Sequence, residues 1–266
     1  MKQFFIDLFS SIAFKFSEAP KAWGAAHIIY IAVGLTSAVF FAFLLRKSDE
    51  RRFNTVLRTV GFVLAGMEIF KISFFHFGLH GGDIVTTAYL FPFQLCSLPI
   101  YMAPLASFLK KEDPVRKALL TFMMTYTLMS GFSTFIETSG ILQEHVIPTL
   151  HSCIWHAILV FIGLLIAFSG RGGYKFRDFF RGFVCFIVCC NTAIFLNVLI
   201  ETLIPGAEVN MFYIGPRRSS LVVFNTIFDK YGWVVQMRIY EIALSIGAYL
   251  VFLLARLGAR PKKAEK

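Results

Sequence analysis

The sequence predicts an all-α protein: a polytopic membrane helical bundle of about seven transmembrane helices, with the N-terminus outside and the C-terminus inside. Three observations lead to this prediction. Hydrophobic residues make up 57% of the chain and the mean hydropathy is +0.68, whereas soluble domains contain about 45–50% apolar residues. Only 16% of the residues are charged, and they cluster between long apolar runs. These runs lack the alternation of barrel strands, so they predict helices.

We interpret residues 1–266 as a single membrane domain. Residues 1–22 have apolar side chains at helical spacing, but Asp7 and Lys15 interrupt the run. This pattern predicts an amphipathic helix at the membrane surface rather than a cleavable signal peptide. The bundle is predicted over 24–256, and 257–266 is predicted to be a basic cytoplasmic tail.

Seven segments are long and apolar enough to span a membrane. A hydrocarbon core of about 30 Å requires about 20 helical residues. The predicted spans are roughly 24–45, 57–79, 87–109, 117–137, 149–169, 179–202 and 233–256.

Lys and Arg residues set the predicted orientation. They cluster in the first, third and fifth loops and in the tail, whereas the second loop (80–86) and the fourth loop (138–148) contain none. Because positively charged loops remain on the cytoplasmic side, we predict a multi-pass protein of the cell membrane with the N-terminus outside. The mixed sixth loop, 203–232, is then outside by parity.

The net charge of +10 does not indicate nucleic-acid binding. The basic residues lie at the ends of predicted helices, where membrane proteins place them. The five cysteines fall inside apolar segments, their number is odd and none forms a CxxC pair, so no disulfide framework is expected.

Ionisable side chains inside the spans mark candidate functional positions, because a charge at membrane depth is energetically expensive. Glu68 and Lys71 in the second span form an i,i+3 pair that shares one helix face. Arg238 and Glu241 in the seventh span form another. Each pair is either structural or part of a polar site.

The segment FPFQLCSLP of the third span places Cys96 between Pro92 and Pro99. Proline removes backbone donors and loosens a helix. Carbonyls freed at membrane depth need polar partners or water, and Gln94 and Ser97 can supply such partners. We therefore interpret this segment as the wall of a cavity.

Cys96 and His156 lie at similar depths below the outer ends of their predicted spans. At 1.5 Å per residue from the outer end of its span, Cys96 lies about 14 Å deep and His156 about 10 Å deep. The thiolate is the nucleophilic form, and a free thiol has a pKa of about 8.5, so Cys96 needs a base. His156 would take its proton and return it to a leaving group. Gln94 or Asn210 would then stabilise the oxyanion.

Two other interpretations of polar residues stay open. Cys96 alone is also compatible with a small packing residue. His76 and His80, in HFGLH, lie at i,i+4 with Asp83 nearby, which is compatible with a metal site or with interfacial histidines. We predict neither a metal nor a cofactor.

Three segments resemble one known family. FPFQLCSLP resembles the (L/F)P(L/F)(H/Q)xC element of the YwaF-like integral membrane proteins, whose animal branch is the transmembrane protein 164 family. TLHSCIWHAILVF resembles a span with a central His, and EVNMFYIGP resembles that family's Asn-containing segment ending in Pro. Their order and spacing cover roughly 85–250. The animal branch is regarded as a phospholipid acyltransferase that moves a polyunsaturated chain to an ether lysophospholipid, using a Cys and a His.

Carried onto this chain, the resemblance implies Cys96 as the nucleophile and His156 as its partner, because WHAILVF matches better than LHS. His151 is the reserve. Many bacterial members have a His two residues before the Cys, whereas this chain has Gln94, as the animal proteins do.

The leading interpretation is an integral membrane phospholipid acyltransferase that works through an acyl-thioester. Its partners would be membrane phospholipids and lysophospholipids, with Glu68, Lys71, Arg238 and Glu241 in supporting or substrate-binding roles. One alternative is a transporter in which those four charges line a polar path. Another is a non-catalytic receptor or scaffold.

Overall fold

A computed structural model of the chain describes residues 1–138, 141–218 and 222–258. These residues form helices joined by connecting segments, and no β-strand occurs among them. An isolated antiparallel bridge joins Lys15 and His145. Apart from residues 257 and 258, the predicted basic tail lies outside the described residues.

Eleven α-helices are described in these ranges. In chain order they are α1 (Lys2–Ser11), α2 (Ala25–Leu45), α3 (Glu50–Ser73), α4 (Ile84–Thr87), α5 (Pro99–Phe108), α6 (Pro114–Phe122), α7 (Leu128–Ser133), α8 (Val146–Ser169), α9 (Phe176–Leu203), α10 (Val222–Tyr231) and α11 (Trp233–Gly258). Two π-helical segments extend the ladder, Phe74–Leu79 after α3 and Met123–Thr127 between α6 and α7.

Five helices in the described part of the chain are long and apolar enough to cross a membrane. They are α2, α3 with its π-helical extension, α8, α9 and α11. Their bounds agree with five of the seven predicted spans to within seven residues at either end. The multi-pass helical membrane architecture is therefore confirmed at this level.

The predicted third helix, 87–109, is interrupted. After α4 and a 3-10 turn (Ala88–Leu90), residues 91–98 are not helical, and α5 begins only at Pro99. Pro92 and Pro99 have no N–H to donate, so each removes a bond from a helical ladder and favours a break in this stretch. At the start of α5 the missing donor costs nothing.

The predicted fourth helix, 117–137, begins and ends earlier than expected. α6, the π-helical segment and α7 run without a break from Pro114 to Ser133, a length of about 30 Å. This stretch is long enough to span a membrane but less apolar than the five helices above.

The N-terminal segment also differs from expectation. The amphipathic helix stops at Ser11, although helix was predicted over 1–22, and its Phe5 ring stacks on Phe77 at 5.3 Å between centroids. The predicted sixth loop, 203–232, contains α10 and a 3-10 turn, Met211–Tyr213.

A buried ionic cluster connects three chain segments at the end of the bundle where α3, α6 and α9 begin. The guanidinium of Arg116, which is 2% exposed, contacts Glu50 and donates to Asn54 Oδ1 at 2.8 Å and to the Leu109 carbonyl at 2.9 Å. Arg171 Nε donates to the same Glu50 carboxylate at 3.2 Å. Because these residues lie on or beside three predicted cytoplasmic loops, the cluster fixes those loops to one another.

Glycine allows the closest approach of α3 to α5. A Cβ added at Gly61 would lie 2.3 Å from Pro104 Cγ and 2.4 Å from its Cδ. Small residues allow such close backbone contact between membrane helices. α5, which begins three residues after Cys96, is thereby held against α3.

Alanine at Gly61 is expected to destabilise the fold by about 1–3 kcal/mol, because the rigid Pro104 ring cannot move aside. Gly66→Ala in the same helix is the matched control, since nothing lies within 4 Å of a Cβ there. It is expected to be neutral or to stabilise by up to about 1 kcal/mol. The melting temperatures of the two variants are measured in one detergent. Equal values would contradict the close contact between Gly61 and Pro104.

Candidate active site

One cavity of about 320 Å³ lies between α3, the non-helical stretch 91–98, α8 and the loop 209–215. Six of the nine side chains assigned from the sequence to the acyltransferase site line it: Glu68, Lys71, Gln94, Cys96, His151 and His156. Side chains that are distant in the sequence therefore meet in one place.

Cys96 is presented by a turn rather than by a helix. The Ser97 N–H donates to the Gln94 carbonyl at 2.8 Å, and the Tyr101 hydroxyl donates to the Pro92 carbonyl at 2.9 Å. These bonds satisfy backbone groups that the two prolines leave outside a helical ladder. The side chain of Cys96 is half-buried and faces the cavity.

His156 is buried in α8 in a tautomer that suits a base. Its Nδ1 lies 2.7 Å from the Ser152 carbonyl oxygen. A carbonyl oxygen only accepts, so Nδ1 carries the proton and the lone pair of the neutral ring lies on Nε2. This ring can therefore accept a proton at Nε2.

His151 is held differently. Its Nε2 donates to the Met67 carbonyl of α3 at 3.1 Å, and its ring stacks on Trp155 at 5.5 Å between centroids. Trp155 in turn donates from Nε1 to the Cys96 carbonyl at 3.2 Å. Trp155 therefore ties the turn that carries Cys96 to α8, the helix that carries His156.

Glu68 and Lys71 form the ionic part of the cavity wall. Lys71 Nζ lies 2.6 Å from Glu68 Oε1, and the Glu68 side chain is 4% exposed, whereas that of Lys71 is 25% exposed. The ammonium also lies 5.9 Å from the centroid of a Trp155 ring. Lys71 therefore offers a cation to the cavity while Glu68 offsets its cost of burial.

The loop 209–215 has a strained backbone that surrounding side chains hold in place. Phe212 and Tyr213 have φ angles of 58° and 56°, a conformation that costs about 1–3 kcal/mol for each non-glycine residue. Three hydrogen bonds with neighbouring helices hold this loop. The Met211 N–H donates to Asn197 Oδ1 at 2.8 Å. Gln236 Nε2 donates to the Tyr213 carbonyl at 3.1 Å, and Trp233 Nε1 donates to the Ile214 carbonyl at 2.7 Å. The result places Tyr213 in the cavity wall.

The amides of Gln94 and Asn210 are engaged with this loop. Gln94 Oε1 accepts from the Phe212 N–H at 2.7 Å, and its Nε2 donates to the Asn210 carbonyl at 3.2 Å. The Asn210 side chain accepts from the Gly215 N–H at 2.8 Å and is not part of the cavity lining among the described residues. The geometry favours positioning roles for both amides over oxyanion binding.

Removing the Gln94 amide is expected to loosen the loop. In Gln94→Leu, the Phe212 N–H loses its acceptor, and an unsatisfied group costs about 1–3 kcal/mol. Hydrogen exchange in peptides covering 209–215 is therefore expected to accelerate about tenfold or more. Gln143→Leu, which alters the same residue type in the same cavity, is the control. An unchanged rate of hydrogen exchange in Gln94→Leu would show that the Gln94 amide does not hold this loop in place.

Arg238 and Glu241 do not join this cavity. They form an ion pair in α11, with Arg238 Nη1 donating to Glu241 Oε2 at 2.7 Å, and they line a second cavity between α9 and α11. The four charged residues predicted to support one site are thus divided between two places, with Glu68 and Lys71 in the first cavity and Arg238 and Glu241 in the second. Depth along a helix can be counted from the sequence, whereas the direction in which a side chain points around the helix cannot.

His76 and Asp83, two of the three residues considered as metal ligands, have other partners. His76 Nδ1 lies 2.9 Å from Thr87 Oγ1, and Asp83 Oδ1 accepts from the Val85 N–H at 2.9 Å. Within residues 1–138, 141–218 and 222–258, no group of three or more His, Cys, Asp or Glu side chains is placed to hold a metal ion.

Sequence reasoning missed Trp155, Ser152 and Tyr213 as parts of the site. The first two lie one and four residues before His156, within the motif that carries it. That proximity was the available signal. Tyr213 had a similar signal, since it lies three residues after Asn210 in EVNMFYIGP, but its place in the cavity wall depends on bonds from residues of other helices.

Comparison with known proteins identifies one family. The model of the TMEM164 family matches residues 22–255. Neither the curated proteins nor the solved structures contain a match.

Proposed function

Because the chain belongs to the TMEM164 family, we propose that it is a phospholipid acyltransferase with Cys96 as the nucleophile and His156 as the general base. The observation that supports this proposal most is their shared cavity, in which His156 carries its lone pair on Nε2. A thiol and a base lining one half-enclosed space are two groups that acyl transfer requires, and the cation beside them can bind a lipid phosphate.

In the first half-reaction, His156 Nε2 takes the thiol proton while Cys96 Sγ attacks the ester carbonyl carbon of a donor phospholipid. The tetrahedral intermediate collapses, the carbon–oxygen bond of the ester breaks, and the departing lysophospholipid oxygen receives the proton from His156. The acyl chain now forms a thioester with Cys96.

In the second half-reaction, the hydroxyl of another lysophospholipid gives its proton to His156 and attacks the thioester carbonyl. The carbon–sulfur bond breaks, and the thiolate regains the proton. No cofactor enters the balance. We assign Lys71 to the lipid phosphate, since an ammonium is a suitable partner for that group.

The cavity size limits what it accepts. A volume of about 320 Å³ lies at the small end of the range for ligand sites. Its wall contains an ion pair, amides and hydroxyls. The polar part of the lipid and its ester therefore occupy the cavity, while the acyl tails remain among apolar helices.

We also infer seven crossings of the cell membrane. Residues 88–108 and 114–133 would add two crossings to the five long helices, which places the N-terminus outside and the loops with the buried ionic cluster inside. Reporter fusions at residues 48, 112 and 172 are expected to be cytoplasmic, and one at residue 143 external. A cytoplasmic signal at 143 would contradict this arrangement.

The direct test uses purified protein in nanodiscs containing a donor phospholipid with an isotopically labelled acyl chain. A lysophospholipid with a different headgroup is added, and mass spectrometry follows the label. We expect the label on the second headgroup. Release of labelled free fatty acid alone would indicate a hydrolase, and no turnover by folded protein would contradict the proposal.

A further inference from the structure

A second cavity of about 580 Å³ lies between α9 and α11, apart from the cavity of Cys96. Its wall is mostly aromatic and isoleucine side chains. Among them are Phe179, Phe180, Phe183, Ile242, Ile246 and Tyr249. Several of these point outward, including Phe180, Ile242 and Ile246 at 52%, 59% and 58% exposure. On a membrane-embedded helix, this groove faces the lipid.

One end of the groove carries a cation. The Arg238 side chain is 63% exposed, whereas its partner Glu241 is 9% exposed. Arg238 lies five residues into α11, which begins with Trp233, so it is about 8 Å below that aromatic residue. Tyr231 and Trp233 have the amphipathic rings that occupy the membrane interface. Arg238 is therefore within reach of lipid headgroups.

The exposed guanidinium requires acceptors that the described protein does not supply. Arginine has five N–H donors, and Nη1 is the one that donates to Glu241. Donors left unpaired in hydrocarbon are costly. A phosphate accepts two parallel hydrogen bonds from a guanidinium. Glu241 offsets the positive charge of Arg238, so these directional bonds, rather than charge attraction alone, would hold the phosphate.

The groove continues from this cation as an apolar path. From Arg238 to Tyr249 is eleven residues along α11, or about 16 Å. A phosphate at Arg238 and an acyl chain lying along Ile242, Ile246 and Tyr249 would match the order of polar and apolar groups in one phospholipid.

We propose that this groove is a second lipid site, which binds the phosphate of a glycerophospholipid at Arg238 and one of its acyl chains between α9 and α11. The site is separate from the catalytic cavity, and it does not depend on the proposed acyl transfer.

The test uses full-length protein in phosphatidylcholine nanodiscs with a phosphatidylglycerol that carries a diazirine in one acyl chain. A diacylglycerol with the same diazirine chain lacks the phosphate and is the control probe. After illumination, mass spectrometry locates the labelled peptides. We expect the phosphatidylglycerol probe to label the groove segments of α9 and α11 about tenfold more than the control, the scale of a charge-assisted hydrogen bond.

Three variants define the outcome. The double variant Arg238→Gln, Glu241→Gln removes both charges without leaving one buried alone, and it should abolish the preference for the phosphate probe. Ile246→Trp fills the groove and should reduce labelling by both probes. Cys96→Ala should label as wild type, so failure of the catalytic proposal remains distinguishable. Equal labelling by both probes, or a preference that survives the double variant, would overturn the second site.

Discussion

Replacing Cys96 by alanine is expected to lower acyl transfer by about 10³-fold or more, since removal of a covalent nucleophile leaves no atom to carry the acyl group. Cys96→Ser is expected to be nearly as inactive, because a serine hydroxyl is far less acidic than a thiol. The measurement is the rate of labelled-chain transfer between headgroups in nanodiscs.

Cys153→Ala is the matched control for this loss. Cys153 is also a membrane-depth cysteine, 7% exposed in α8, but it is not part of the cavity lining among the described residues. Its variant should retain transfer to within about threefold, with a modest loss of stability from the lost thiol packing. Full activity in folded Cys96→Ala would remove the nucleophile from the mechanism.

The second large effect is expected at His156. His156→Ala should reduce transfer by about 10²–10⁴-fold, the usual contribution of a positioned general base. His151→Ala should cost less than about tenfold, because the His151 Nε2 proton is already committed to the Met67 carbonyl. The same transfer assay measures both, with the melting temperature of each variant recorded as a check of folding.

The prediction is tested by comparing the loss of transfer activity in His156→Ala with that in His151→Ala. Both line the cavity and lie five residues apart in α8, and the melting temperatures separate a loss of packing from the loss of a base. A greater loss in His151→Ala than in His156→Ala would reverse the assigned roles. Equal retention of activity in both would exclude a histidine base from the reaction.

The long apolar helices were readable from the sequence, because length and continuous hydropathy suffice to specify them. α2, α8, α9 and α11 lie close to their predicted bounds. The break at 91–98 was only partly readable. Pro92 and Pro99 indicate a loosened helix, but the extent of the turn also depends on Tyr101 and on Trp155 of α8, which the sequence cannot place.

The candidate site shows the same division. The types of Cys96, His156, Glu68 and Lys71 and their depth in the predicted spans were sufficient to group them. Helix rotation was not readable, so Arg238 and Glu241 were grouped with a cavity that they do not reach. The positioning role of Gln94 depends on a strained loop more than a hundred residues away in the sequence. The hydrogen bonds between the Gln94 amide and this loop form only in the folded chain.

The most direct test of the central claim is to trap the acyl-enzyme. Purified protein is incubated with a donor phospholipid and no acceptor, digested, and measured by mass spectrometry with and without neutral hydroxylamine, which cleaves thioesters. The account predicts one acyl chain on the peptide containing Cys96, removed by hydroxylamine and discharged when a lysophospholipid is added. Transfer between headgroups in the same preparation without acylation of Cys96, at time points throughout the reaction, would contradict it.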